Sequence, residues 1–333
     1  MIVCNPWHDR QRWRDIRARL NNARSHGHAP TRLNAKTGRT AVATLPTLRF
    51  APSPNGDLHL GHARSAITGF TMARRLGGRF LVRIEDIDPV RCREDLVTQI
   101  LDDLAWLGLT WDGPVLRQSA RFDLYRDAAA QLRRHGLLYP CFATRSEILA
   151  ATQHGDASTD PDGVPLYPGL WRDAPASAVA ERRAAGDPAA WRLDMVRAVE
   201  KARQKLQGRP LTFTELDADG GPQVIEAHPE RWGDAVIVRK DTPTSYHLAV
   251  VVDDAAQGVT HVTRGRDLFA ATDLHRLLQV LLDLPAPDYH HHALILDPSG
   301  RKLSKTAGDT SLRQLRAQGA TPQDIWQAAG FAR

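Results

Sequence analysis

The stretch Leu48–His62, LRFAPSPNGDLHLGH, leaves this chain few ways to fold. Leu48-Arg49-Phe50-Ala51 reads as a short buried strand. Pro52, Pro54 and Asn55-Gly56 then forbid regular structure and force a loop. Leu60 opens an apolar pattern that runs as a helix through Met72 and Leu76. A strand, a tight loop and a helix N-terminus together present free backbone N–H groups, a natural seat for phosphate. His59 and His62 lie three apart and share a face at that helix start. Gly61 between them has no side chain, which leaves room for a flat or bulky ligand. The plainer alternative is a loop carrying two surface histidines.

A second stretch near the far end narrows the choice. Ala293–Leu296 reads as a buried strand, and Asp297-Pro298-Ser299-Gly300 as a turn. Arg301-Lys302-Leu303-Ser304-Lys305-Thr306 follows. A loop with two lysines at a strand end suits phosphate handling in an open α/β sheet, where lysine serves as a mobile point charge. A solvated basic turn is the alternative.

Together these stretches resemble the signatures of class I aminoacyl-tRNA synthetases. His59-Leu60-Gly61-His62 matches the family's first motif and Lys302-Leu303-Ser304-Lys305-Thr306 its second. Arg49-Phe50-Ala51-Pro52-Ser53, Arg83-Ile84-Glu85-Asp86, Arg264-Gly265-Arg266-Asp267-Leu268 and Gly300–Lys305 look like the glutamyl branch. The resemblance runs over roughly residues 48–330 and implies an α/β fold. Its parts would be a Rossmann-type parallel sheet, an inserted α/β subdomain like one that receives a tRNA acceptor end, and no anticodon-binding domain.

Composition is ordinary for a globular protein, and no transmembrane helix is expected. No apolar run approaches the length of a bilayer span. Cys4, Cys92 and Cys141 are far apart and form no CxxC pair, which suits a reducing cytoplasm. The net charge of +6 is uneven: residues 1–48 carry nine Lys/Arg and two Asp/Glu, and the remainder is close to neutral. Residues 1–46 therefore read as a basic, disordered extension. An RNA-contacting arm, a targeting peptide and a non-functional extension all remain open for it.

The body reads as 47–136, the first half of the catalytic domain; 137–234, the inserted subdomain; and 235–333, the second half with the lysine loop and closing helices. Phe80–Ile84 is a second buried strand, ending at Glu85 and Asp86. Arg93–Leu107 and Ser119–Arg134 are amphipathic helices. The sheet resumes at Ala235–Lys240, followed by the apolar run Leu248–Val252 and the strand Val259–Arg264. Asp267 caps a helix Leu268–Leu282. Thr321-Pro322-Gln323-Asp324 opens the last helix, with proline in its first turn.

The resemblance implies ATP, with Mg2+, and L-glutamate as substrates. Catalysis would fall to His59, His62 and Lys305, and ATP binding to those residues with Gly61, Lys302 and Ser304. Activation means attack of a carboxylate on the α-phosphorus, so fixed positive charge and positioning must lower the barrier. Glutamate would meet Arg49, Phe50, Ala51, Pro52, Ser53, Glu85, Tyr246 and Arg264. Arginines can fork onto its carboxylates, and Glu85 can pair with its ammonium. Glu85 and Asp86 could equally form a surface pair or a helix-cap network, and Tyr246 could be structural.

Relatives often hold zinc in the insertion through Cys-x-Cys, Tyr and Cys. Here only Cys141 and Tyr167 remain, with Ala143 and Trp171 in the other places and His154 nearby. Four good donors are wanted, so no metal is expected and Trp171 should pack apolar there. Only 28 residues follow Lys305. That shortness resembles the truncated branch of the family, which activates glutamate without tRNA and joins it to queuosine in the anticodon of tRNA(Asp). A monomer without membrane attachment is expected. The alternatives are a shortened enzyme charging a tRNA 3′ end, a catalytically idle RNA-binding paralogue, and a nucleotidyltransferase acting on another acid.

Overall fold

Parallel strands set the frame in a computed structural model of the chain, which describes residues 45–152, 158–297, 300, 303 and 310–331. The chain divides at Leu45/Pro46. The basic extension, His154, Lys302, Ser304 and Lys305 lie outside the described residues, Leu45 and Pro46 excepted. Thr47–Phe50 forms β1, buried throughout. Helix α1 (Leu60–Arg75) buries Ala63, Ala66, Ile67, Gly69, Met72 and Ala73 on one face. Strand β2 (Arg79–Ile84) pairs parallel with β1, Leu48 opposite Phe80 and Phe50 opposite Val82. Helix α2 (Glu94–Trp106) begins with two acidic residues, favourable at a helix N-terminus. The two-residue β3 (Leu116–Arg117) extends the sheet beyond β2, and α3 (Phe122–Arg134) follows one 3-10 turn.

Next come β4 (Leu138–Cys141), α4 (Arg145–Thr152), α5 (Ala176–Ala184), β5 (Ala190–Leu193) and α6 (Met195–Lys205). Strands β6 (Thr212–Leu216), β7 (Pro222–Glu226) and β8 (Val236–Val238) follow. Then come α7 (Tyr246–Gln257), β9 (His261–Gly265), α8 (Ala271–Leu282), β10 (Asp288–His292), α9 (Leu312–Ala317) and α10 (Pro322–Ala328).

Strands β9, β10 and β6 lie parallel, with β7 antiparallel at the edge. This sheet joins the first at one point. Thr260 N–H donates to the Thr47 carbonyl at 2.9 Å, and Thr47 N–H to Thr260 Oγ1 at 2.8 Å. The order is then β3, β2, β1, β9, β10, β6, β7, and the winding reverses between β1 and β9. In an open α/β sheet a ligand crevice opens at such a reversal, beyond the strands' carboxyl ends. Helix α1 packs across β1, β2 and β9. Beneath it Leu48, Ile67, Phe80, Ile84, Ile100 and Leu104 form a core at 0–1% exposure, each contributing about 1.5–3 kcal/mol. Helices α9 and α10 close this core through Leu312, Ile325 and Trp326, whose indole N–H donates to the Leu107 carbonyl at 3.1 Å.

The structure departs from the sequence pattern in five places. The stretch 235–240 does not resume the parallel sheet: β8 pairs antiparallel with β5, in a small sheet ordered β4, β5, β8. Conversely β6 and β7, inside 137–234, belong to the large sheet. The apolar run Leu248–Val252 lies within helix α7. Residues Leu248 to Ala255 are all buried, because α7 packs on both α3 and α8; burial all round erases the 3.6-residue period. The strand expected at Ala293–Leu296 falls instead at Asp288–His292. Its histidines face buried polar partners, so hydropathy hides it. Asp267 does not cap α8: it lies in a 3-10 turn, and α8 begins at Ala271 without a side-chain cap.

Candidate active site

A cavity of about 540 Å³ opens where β1, β2, β9 and β10 end. Its walls include Arg49, Phe50, Ala51, Pro52, Ser53, His59, Gly61, His62, Glu85, Tyr246 and Arg264. Every expected site residue among the described ones is there. The loop after β1 is clipped in place: Glu85 N–H donates to the Pro52 carbonyl at 2.9 Å and Arg93 N–H to the Pro54 carbonyl at 3.1 Å. Leu303 also lines the cavity. Beyond the lysine loop, Ser311 bridges to His59 and Leu312 N–H donates to the Leu58 carbonyl at 2.7 Å.

The two histidines use up the amides of the helix start. Gly61 N–H donates to His59 Nδ1 at 3.1 Å, and His59 N–H to His62 Nδ1 at 3.2 Å. The rings lie 3.9 Å apart, tilted by 45°. The expectation of free backbone N–H groups for phosphate is therefore corrected for these two amides. A neutral imidazole that accepts at Nδ1 carries its proton at Nε2. Both rings line the cavity, each accepting at Nδ1 from a backbone N–H of the helix start. Gly61 also makes room for protein: a Cβ there would stand 2.9 Å from His59 Cε1.

Arg49 and Arg83 form one buried cluster. Arg49 Nε and Nη2 donate to the two Asp254 oxygens at 3.0 and 3.4 Å. Arg83 Nη1 donates to Asp254 Oδ1 at 2.7 Å, and its Nη2 to Glu85 at 3.2 Å. Burial works against the charge of Arg83, but Asp254, Glu85 and Asp253 more than restore it. Burial alone would raise the Asp254 pKa; Arg49 and Arg83 outweigh it and hold the carboxyl below its ordinary range. Burial raises Glu85, with Arg83 and Arg49 pulling partly back. The fork expected from Arg49 toward a substrate is thus spent on Asp254.

Arg264 is held differently. Its Nε donates to His291 Nε2 at 3.0 Å, its Nη2 to Thr272 Oγ1 at 2.7 Å, and its Nη1 meets His275 Nδ1 at 3.1 Å. Guanidinium can only donate, which fixes both tautomers. His275 then carries its proton at Nε2, toward His247 Nδ1 at 3.1 Å. His291 carries its own at Nδ1, 2.7 Å from Glu215. Burial pushes the pKa of His291 and His247 down to about 4 and that of His275 well below its ordinary value. All three are neutral near pH 7. Among the described residues no carboxylate pairs with Arg264, which is 5% exposed.

Glu85 and Asp86 part company. Glu85 lines the cavity, whereas Asp86 accepts from Ser119 N–H at 2.8 Å, Ser119 Oγ at 2.7 Å and Arg117 Nε at 2.9 Å. Asp86 is a cap for the turn before α3. Tyr246 begins α7 after its N-cap Ser245, with its ring 5.6 Å from His275. In the small sheet, Cys141 Sγ lies 3.3 Å from the Tyr167 hydroxyl, and Trp171 packs edge-on to Phe142 at 4.9 Å. Among the described residues no group of three or more His, Cys, Asp or Glu could hold a metal ion. Asp254, Thr272, His275, His291 and Glu215 were not singled out from the sequence. Their one signal is polarity inside apolar segments: Asp253-Asp254 ends a valine run, and His290-His291-His292 forms a strand.

A doubly wound sheet with an imidazole pair at its first helix start and arginines beneath defines a nucleotide-dependent synthetase site. Residues 47–330 match the model of tRNA synthetases class I (E and Q), catalytic domain, and the chain belongs to this family. It is a ligase of the aminoacyl-tRNA synthetase type. It is 48% identical over 291 residues to a glutamyl-Q tRNA(Asp) synthetase of Rhodobacter capsulatus, covering 85% of this chain and 99% of that one. A second glutamyl-Q tRNA(Asp) synthetase, of Symbiobacterium thermophilum, is 42% identical, with 83% of each chain covered. Among solved structures, a glutamate tRNA ligase from Elizabethkingia meningosepticum in complex with its amino acid superposes with TM-score 0.67 at 27% identity. That match covers 86% of this chain and 60% of the ligase.

Proposed function

We propose that the protein activates L-glutamate with ATP, without tRNA, and transfers it to the queuosine base in the anticodon of tRNA(Asp). The observation that carries the chemistry is a single cavity holding both the His59–His62 pair and a buried guanidinium with no carboxylate partner. The acceptor follows the relatives, of which this chain spans 99% and 83%.

In the first step an α-carboxylate oxygen of glutamate bonds to the α-phosphorus of ATP. The bond from that phosphorus to the bridging oxygen breaks, and pyrophosphate leaves with the electron pair. Negative charge grows on the phosphate oxygens, where ring N–H donors of His59 and His62 stabilise it. Lys302 and Lys305 add charge from their loop, and Gly61 and Ser304 complete the ATP contacts. Mg2+ travels with ATP on its phosphates. Arg264 takes the side-chain carboxylate, Glu85 the ammonium, and Tyr246 with Arg49–Ser53 the remaining walls. In the second step a queuosine hydroxyl attacks the acyl carbon. AMP leaves, and the hydroxyl proton passes to solvent or phosphate. The protein acts as a cytoplasmic monomer; among the described residues no helix is long and apolar enough to cross a membrane.

The test is incubation with labelled glutamate, ATP and queuosine-bearing tRNA(Asp), then mapping of the labelled nucleotide. Label in the anticodon loop supports the proposal. Label at the 3′ end makes this a tRNA-charging enzyme, and no label with intact ATP–pyrophosphate exchange refutes the acceptor alone.

A further inference from the structure

Selection of an acidic amino acid over its amide demands more than an arginine. A guanidinium already neutralised by a protein carboxylate gains little from a second anion, and a neutral amide then competes well. What surrounds Arg264 therefore decides what it prefers to bind. Its Nε, Nη1 and Nη2 each meet a neutral partner: His291, His275 and Thr272. These partners come from β10 and α8, all within 5% exposure. The nearest hydrogen-bonded carboxylate is one imidazole away: Glu215 on β6 accepts from His291. By contrast, Arg49 and Arg83 touch Asp254 directly.

We propose that Thr272, His275 and His291 are positioning residues that set the preference for an acidic over an amide side chain. They fix the Arg264 guanidinium with neutral acceptors while leaving its unit charge for the substrate. None of the three needs to touch the ligand. Glu215 orients His291 by accepting a hydrogen bond from its Nδ1–H, which leaves Nε2 to accept from Arg264. The inference rests on the reading that Arg264 meets the substrate side chain.

The decisive experiment uses an isosteric pair on the full-length protein. His275→Asn places an amide oxygen near the present Nδ1; His275→Asp places a carboxylate there. ATP–pyrophosphate exchange is measured with glutamate and with glutamine. His275→Asn should keep the wild-type preference. His275→Asp should raise the KM for glutamate at least tenfold more than Asn does, narrow the glutamate-to-glutamine ratio of kcat/KM, and leave the KM for ATP unchanged. Equal glutamate KM values in the two variants would overturn the proposal. Thr272→Asn and Thr272→Asp repeat the test from the other side of the guanidinium if the first aspartate fails to fold. Indifference to charge there overturns the proposal equally. The underlying reading fails separately: Arg264→Ala with an unchanged KM for glutamate removes Arg264 from the substrate, whatever its neighbours do.

Discussion

The cavity has two arginine clusters, and they solve opposite problems. Arg49 and Arg83 are buried with Asp254 and Glu85, charge against charge. Arg264 is equally buried, yet its hydrogen-bond partners are two imidazoles and a hydroxyl. The first cluster pairs its charges within the protein and braces β1 and β2 to α7. The second makes three hydrogen bonds to neutral partners, which leaves its charge unbalanced by any hydrogen-bonded carboxylate among the described residues. Hydrogen-bond satisfaction and charge satisfaction are separate conditions, and this site uses the gap between them.

Breaking the first cluster should produce the largest effect. Asp254→Ala strands two buried guanidiniums and should cost about 3–5 kcal/mol of stability, read from the midpoint of a denaturant transition. A loss under 1 kcal/mol would mean that the cluster does not brace the sheet. Arg264→Ala should show the reverse profile. It should raise the KM for glutamate by one to two orders of magnitude, about 1.4–2.8 kcal/mol, with a smaller stability loss than Asp254→Ala. For the phosphate step of the proposed reaction, His62→Ala or Lys305→Ala should slow glutamate-dependent exchange at least tenfold, more than about 1.4 kcal/mol. Unchanged rates would remove them from the phosphate chemistry.

Acid should separate the two clusters by pH. His247 and His291 titrate near 4 when folded, against an ordinary 6.5. The unfolded chain therefore binds more protons between those values, and stability falls as pH drops from about 6.5 to about 4. Each such imidazole adds up to about 1.4 kcal/mol per pH unit. Asp254 has a lowered folded pKa, so its contribution is present above the ordinary carboxylate range. It disappears only as pH falls further, through the folded value. Unfolding followed against pH should show two segments. His247→Gln should flatten the upper one and Asp254→Asn the lower one. A single slope insensitive to both changes would contradict the assignment.

How much of this was legible in the residues follows from where water reaches. The strand–loop–helix at Leu48–Leu76 was readable because proline and glycine punctuate it and one helix face stays wet. Helix α7 showed only as an apolar run because its valines are buried on several sides. Strand β10 was missed because its histidines look like surface residues, and only the fold supplies Arg264 and Glu215 as their partners. The described motif residues line one cavity. The sequence names Arg49 as a donor and Gly61 as a gap without naming the protein groups that each also meets. Asp254 and an imidazole of the site supply those answers.

The central claim is that a charge-incomplete guanidinium and the phosphate-binding histidines act on one bound acid. ATP–pyrophosphate exchange without tRNA, measured with glutamate and with glutamine on wild type and Arg264→Ala, tests it most directly. The account predicts exchange with glutamate, little with glutamine, and loss of that preference in the variant. Equal exchange with both amino acids in the wild-type protein, or an unaltered preference in the variant, would contradict it.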